Sequence, residues 1–295
     1  MLDDRVDRGH GLRPEIASAV LPDLLSRGVD VQQIGVLVQE NAIEVRLSQL
    51  DPAWIAIVRD RIAFPSIKYA KAEPGGPQAC SMHICLAADN PRLRAGLRIW
   101  TQSGNTVNYC TSGYLVRARQ TPSNTLMVTA GHCPFVPGVT GALYRHGTPL
   151  GTFDNLGYVA ATGYWSGSYV DAMMINIPDS RESDWMYVSI SMSGHGAHTP
   201  GTPVCMKGQQ TGGSACGQIV SSPWTLTYPD GTIIMQQVKT TINTKTGDSG
   251  GPVYSGSLAH GIVVWGGALN ESFYSKMSNI EATLNVDLCV TVSCT

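Results

Sequence analysis

Residues 247–253 read GDSGGPV, one serine set among three glycines. How this stretch is read decides the fold. Gly-x-Ser-x-Gly is also the strand–turn–helix elbow of the α/β-hydrolases, which places a helix after the serine and then an acid followed by a histidine. Here no helical periodicity follows Pro252, His260 is the only histidine downstream, and Glu271, Glu281 and Asp287 all come after it. The elbow reading fails on order and on context. Outward from the serine, short β-prone runs alternate with Gly, Asn, Ser and Pro: LRIWT, TVNYCTSGYLVRA, LMVTAGH, GALYRHG, YVDAMMINI, PVCMKG, GQIVSS, TLTYPDG, IIMQQVKTTI, PVYSG and AHGIVVWGG. About eleven runs at roughly 8–12-residue spacing predict an all-β barrel or sandwich. FDNLG (153–157) reads as a turn, and a single helical turn is expected at 280–284.

Composition divides the chain in two. Only 14% of the 295 residues are charged, against about 25% in an ordinary soluble domain. The net charge of −2 provides no basic face for nucleic acid. No apolar run approaches the roughly 18 residues needed to span a bilayer. Residues 1–78 hold 9 basic and 11 acidic side chains, whereas residues 79–295 hold the other 11 and 11, with all eight cysteines. A low-charge, Gly-rich segment with an even number of cysteines reads as a secreted β domain. Residues 1–30 nevertheless contain no basic stretch followed by an apolar core, so no signal peptide is visible.

The charged quarter has its own pattern. Ile16, Val20, Leu21, Leu24 and Leu25 recur at helical spacing, with Pro22 as an interruption and Gly28 as a stop. IGVLVQENAIEVRLS (34–48) predicts a hairpin about Glu40-Asn41. Asp51-Pro52 marks a helix start, because Asp caps the free amides and Pro in the first turn sacrifices no hydrogen bond. A short strand follows at 66–72, and EPGGPQ (73–78) reads as a linker. The expectation is a small α/β module over residues 1–78, linked from about residue 73, with no cluster of reactive side chains.

Chemistry gathers in the second segment. TAGHC (129–133) carries His132, VDAMMINI (170–177) places Asp171 ahead of an alternating strand, and GDSGGPV carries Ser249. A serine hydroxyl needs an imidazole to accept its proton, and the imidazole needs a carboxylate to fix its tautomer. Glycines beside the serine let the amides of Gly247 and Ser249 face one point, where an oxyanion could sit. Asp154 is the rival carboxylate, but it falls in the turn-like FDNLG.

In their order His, Asp, Ser, these segments resemble the chymotrypsin-like (trypsin-like) serine proteases, above all the secreted bacterial streptogrisin and α-lytic protease type. The likeness runs from about residue 94 to 288 and takes in CTSGYLV, VCMKGQQTGGSACG, TLTYPDG and HGIVVWGG. It implies a mainly β fold of two six-stranded antiparallel barrels over residues 79–295, preceded by the small α/β module. His132 and Asp171 would belong to the first barrel and Ser249 to the second. It further implies a secreted serine endopeptidase acting on protein or peptide substrates, monomeric, without cofactor or metal, and with residues 1–78 as a pro-region of a zymogen. The competing expectation is a catalytically weak or silent binding protein on the same fold.

By the same resemblance, Cys110 pairs with Cys133 and Cys205 with Cys216. Cys80–Cys85 and Cys289–Cys294 either close small loops or cross-pair. Their C-x4-C spacing departs from the C-x2-C usual for a four-cysteine zinc site. Asn243 would lie at the floor of the specificity pocket, neutral and so unsuited to a demand for Lys or Arg. Val264, Trp265, Gly266 and Gly267 would line the substrate strand. Val264 stands where the family usually has a serine that supports the triad carboxylate, so Asp171 is expected to be less firmly held. Asp248 pairs with a new N-terminus in animal relatives and with an internal arginine in bacterial ones, and its partner here is left open.

Overall fold

The computed structural model describes residues 15–37, 42–62, 64–71, 95–121, 125–147, 153–177, 185–186, 190–266 and 271–290. Its N-terminal elements follow the sequence pattern. Helix α1 (Glu15–Ser26) buries Leu21 and Leu24 and ends at Gly28, whose φ of +75° suits a residue without Cβ. Strands β1 (Val31–Leu37) and β2 (Ala42–Leu47) form the expected antiparallel pair. Helix α2 (Pro52–Arg61) begins where Asp51 accepts a 2.7 Å bond from the Ala53 amide. Strand β3 (Ile67–Lys71) then runs parallel to β2. Leu24, Ile34, Val45, Leu47, Val58 and Ile62 close a core of their own beneath the helices.

That module shares a sheet with the rest of the chain. The free edge of β1 pairs antiparallel with strand Gly213–Thr227, setting Gln33 opposite Leu226 and Gly35 opposite Trp224. A ten-stranded sheet therefore runs from Pro203–Gly208 through Pro252–Ser255, Leu258–Gly266, Ser272–Lys276, Ile233–Thr240 and Gly213–Thr227 to β1, β2 and β3, with Gly194–His195 as a tenth strand paired to Leu258–Gly266 off this path. Pro203–Gly208 also pairs with Gly213–Thr227, which joins the two ends of the six-strand run. Val204, Met206, Ile219, Val238 and Val253 fill its interior. An eight-stranded antiparallel sheet forms the other half, in the order Val286–Leu288, Leu115–Ala118, Thr125–Thr129, Met173–Asn176, Phe153–Thr162, Leu143–Gly147, Arg98–Ser103 and Thr106–Thr111. The two mainly β halves fit the expected two-barrel fold, although the second sheet has eight strands where six were expected.

Three local expectations need correction. FDNLG is the start of the ten-residue strand Phe153–Thr162, with Asp154 paired to His146. Its glycine is there for close approach: a Cβ on Gly157 would lie 1.7 Å from the Asn176 carbonyl. GQIVSS and TLTYPDG are not separate strands, because both feed Gly213–Thr227. The turn expected at 280–284 is the end of a full helix, Met277–Leu284. The predicted linker, 73–78, lies outside the described residues.

Candidate active site

His132 follows strand Thr125–Thr129 and is tied to a neighbouring strand by the Cys110–Cys133 disulfide. Asp171 lies two residues before strand Met173–Asn176, which pairs with Thr125–Thr129. The two side chains are thereby held at the adjoining ends of two paired strands. Asp171 Oδ1 accepts from the His132 amide at 2.9 Å, and Oδ2 lies 2.5 Å from His132 Nδ1. A carboxylate only accepts, so Nδ1 carries the proton and Nε2 is left as an acceptor. Nε2 faces Ser249 Oγ at 3.0 Å. The three residues named from sequence thus form one hydrogen-bonded line, with Asp171 and Ser249 fully buried.

The serine turn is shaped by two glycines. Gly247 has φ +102° and Gly250 φ +87°. A Cβ on Gly250 would come within 2.1 Å of Thr129 Oγ1 and 2.3 Å of the Thr111 carbonyl, so the turn lies hard against the other half of the molecule. Thr111 fastens it there. Its hydroxyl donates to the Gly247 carbonyl at 2.8 Å and its amide to the Ser249 carbonyl at 2.8 Å. Gly250 N donates to Val263 O at 2.7 Å, and Val263 N to Gly251 O at 2.8 Å, which fixes the turn to the substrate-strand candidate Leu258–Gly266.

Asp248 is buried, and backbone amides surround it. Oδ1 accepts from the amides of Gln210 (2.9 Å) and Thr211 (3.0 Å), while Oδ2 accepts from Lys245 N (2.8 Å) and the Thr211 hydroxyl. Gly208 makes room for it, since a Cβ there would meet Asp248 Oδ1 at 2.1 Å. These donors hold a buried carboxylate without a cation among the hydrogen bonds described. The partner left open by the sequence is therefore the turn at 208–211 together with the Lys245 amide.

Asp171 differs from expectation as well. Tyr228, in the middle of TLTYPDG, donates its hydroxyl to Asp171 Oδ2 at 2.5 Å, and the Asp171 amide donates to Ser275 Oγ at 2.9 Å. Val264 supplies no hydroxyl, yet the carboxylate is not loosely held. No local sequence signal marks Tyr228, because its partner lies 57 residues away. Burial first, and then the charge of Asp171, push the Tyr228 phenol well above its ordinary range.

Val264 and Trp265 are buried in strand Leu258–Gly266, with Trp265 edge-on to Tyr228 at 4.9 Å. Gly266 ends that strand, Gly267 lies outside the described residues, and Asn243 is exposed on the segment before the serine turn. The Cys205–Cys216 pair is formed. Cys289 is also disulfide-bonded, and Cys80, Cys85 and Cys294 lie outside the described residues. Cys110, His132 and Cys133 bring possible ligand atoms within 4.8 Å of one another. Both sulfurs are spent in a disulfide, so that group does not fit a metal.

Two β halves with a His–Asp–Ser line between their strands are the arrangement of the chymotrypsin-like serine proteases of the bacterial type, which this chain resembles in fold. No protein-family model matches the chain. Streptogrisin-C of Streptomyces griseus is 26% identical over 230 residues, covering 73% of this chain and 46% of that protein. The chain thus spans about half the length of the curated relative it matches. Among solved structures, Nocardiopsis protease superposes with a TM-score of 0.52 at 25% identity, covering 67% of this chain and 99% of that one. Thermobifida fusca protease A has the same fold, with a TM-score of 0.54 at 24% identity over 68% of this chain and all (100%) of the other. Among the described residues no helix is long and apolar enough to cross a membrane.

Proposed function

We propose that the chain is a secreted serine endopeptidase that hydrolyses peptide bonds through a Ser249 acyl-enzyme. One observation carries the reading: the unbroken line from Asp171 Oδ2 through His132 to Ser249 Oγ, at 2.5 and 3.0 Å. Ser249 attacks the scissile carbonyl while His132 Nε2 accepts its proton. Asp171 keeps the other ring nitrogen protonated and stabilises the imidazolium that forms. The amides of Gly247 and Ser249 face the oxyanion, and His132 returns its proton to the leaving amine. Water then repeats the sequence in reverse roles and frees the acid product.

Substrate backbone would bind along Trp265 and Gly266. These residues pair with Phe273 and Ser272 on one side, while the pairing with Pro252–Ser255 on the other side ends at Ile262. Among the described residues, no strand covers that second edge, which suits β-augmentation by an extended peptide. Digestion of a peptide library tests the reading: cleavage that disappears in Ser249→Ala supports it, and cleavage unaffected by that change refutes it.

Residues 1–78 fit a pro-region, cut from the protease domain at roughly residues 72–95 in an exposed connection. Its support is the distinct core beneath α1 and α2, attached to the protease half along one strand edge. Intact mass of the secreted protein decides the matter. Loss of about a quarter of the chain, as residues 1–78 make up, supports a pro-region, and retention of the full length sinks it.

A further inference from the structure

Asp171 must stay ionised although it is fully buried, and a buried carboxylate is tolerated only when its lone pairs are filled by donors. Oδ1 takes the His132 amide, and Oδ2 takes both the His132 ring and the Tyr228 hydroxyl, each at 2.5 Å. We propose that Tyr228 is a fourth, positioning member of the His132–Asp171–Ser249 group, acting through the Asp171 carboxylate. This inference rests on the endopeptidase reading and deepens it.

The chemistry suits the role. A tyrosine hydroxyl is a short, strong donor to a carboxylate. Its displaced titration keeps it protonated wherever Asp171 is charged, so it donates and never competes for the proton that moves between Ser249 and His132. Its ring is fixed on three sides. Trp265 meets it edge-on at 4.9 Å, Tyr164 edge-on at 5.3 Å, and the His132 ring lies 5.8 Å away. Tyr228 therefore ties the carboxylate to the same tryptophan that borders the proposed substrate strand. Val264 has an aliphatic side chain and its carbonyl lies 3.4 Å from the Tyr228 hydroxyl, a weaker alternative acceptor than the carboxylate. Removing the hydroxyl leaves Oδ2 with one donor and lets the carboxylate turn about its bond to Cβ. The His132 ring, oriented by that oxygen, then loses its alignment with Ser249.

The test compares Tyr228→Phe with Tyr164→Phe in processed, active protein. Tyr164 packs against the same ring but donates its hydroxyl to Asp230 at 3.0 Å, so it controls for packing alone. Tyr228→Phe should lower kcat by about ten- to hundredfold, the worth of one hydrogen bond to a charge. KM should stay within about twofold, because the lost interaction serves the transition state. The downfield proton resonance of the His132–Asp171 pair should shift in Tyr228→Phe and stay put in Tyr164→Phe. An unchanged kcat and resonance in a folded Tyr228→Phe overturns the inference. If that variant does not fold, a crystal structure of the unaltered protein decides: Tyr228 Oη within about 3.2 Å of Asp171 supports it, and any longer separation overturns it. Failure of the unaltered protein to hydrolyse peptides would instead overturn the endopeptidase reading, so the two failures are distinguishable.

Discussion

At the residue scale, Asp248 shows how the serine turn is kept in shape. Its four donors are three backbone amides and one threonine hydroxyl, all drawn from 210–211 and 245. Among the described residues, these four donors satisfy the Asp248 carboxylate without a chain N-terminus. Asp248→Asn keeps the shape but turns an NH2 towards amide donors. It should cost about 1–3 kcal/mol in urea unfolding and lower kcat as Gly247 and Ser249 shift. An unaltered unfolding midpoint and rate would contradict this account. His132, Asp171 and Ser249 were readable because each sits in a short motif with a chemical reason to be there. Tyr228 was not, since hydroxyl donors in β-rich sequence are common and only the folded register brings position 228 beside 171.

At the element scale, the junction of β1 with Gly213–Thr227 depends on a bare backbone. A Cβ on Gly35 would lie 2.2 Å from the Trp224 ring, which is itself fully buried. Gly35→Val should therefore unseat β1 at a cost of about 1–3 kcal/mol. Hydrogen exchange should then quicken at amides 33–35 and 224–226 but not at the serine turn. Strand Phe153–Thr162 escaped the sequence reading for a related reason, because Gly157 looks like a turn residue and serves as a contact point. The helices at 15–26 and 52–61 were readable from spacing and capping, which act within a few residues.

A pH effect belongs to this scale too. His198 bonds Tyr274 at 2.8 Å between the strands of the second half. Burial, reinforced by Lys276, His260 and His195, pushes its imidazole down to about 4. The unfolded chain takes up that proton near pH 6.5. Stability should thus be full above about 6.5 and decline as pH falls towards about 4, by about 1–2 kcal/mol because His198 keeps some contact with water. His198→Gln should flatten the dependence of the melting temperature in this window, and an unchanged slope would count against it.

At the scale of the whole molecule, one sheet runs from the N-terminal module into the half that carries Ser249. Four charges seal the seam: Arg46 meets Glu271 at 2.6 Å and Glu44 at 2.9 Å, while Lys239 lies 3.3 Å from Glu271 and 3.4 Å from Glu44. Lys239 also sits over the Trp224 ring at 4.5 Å. Composition alone marked a charged quarter and a low-charge remainder, and at the seam Arg46 and Glu44 of the first meet Glu271 and Lys239 of the second. The pairing could not be read from sequence, because its partners lie up to 225 residues apart.

The central claim is that Ser249 is a nucleophile activated by His132. The most direct measurement is labelling by a fluorophosphonate probe, with the modified peptide mapped by mass spectrometry in unaltered, His132→Ala and Ser249→Ala proteins. The account predicts one adduct, on Ser249 of the unaltered protein, and at least about a thousandfold slower labelling of His132→Ala. Folded, processed protein that takes no label at Ser249, or takes it equally fast without His132, would contradict the account.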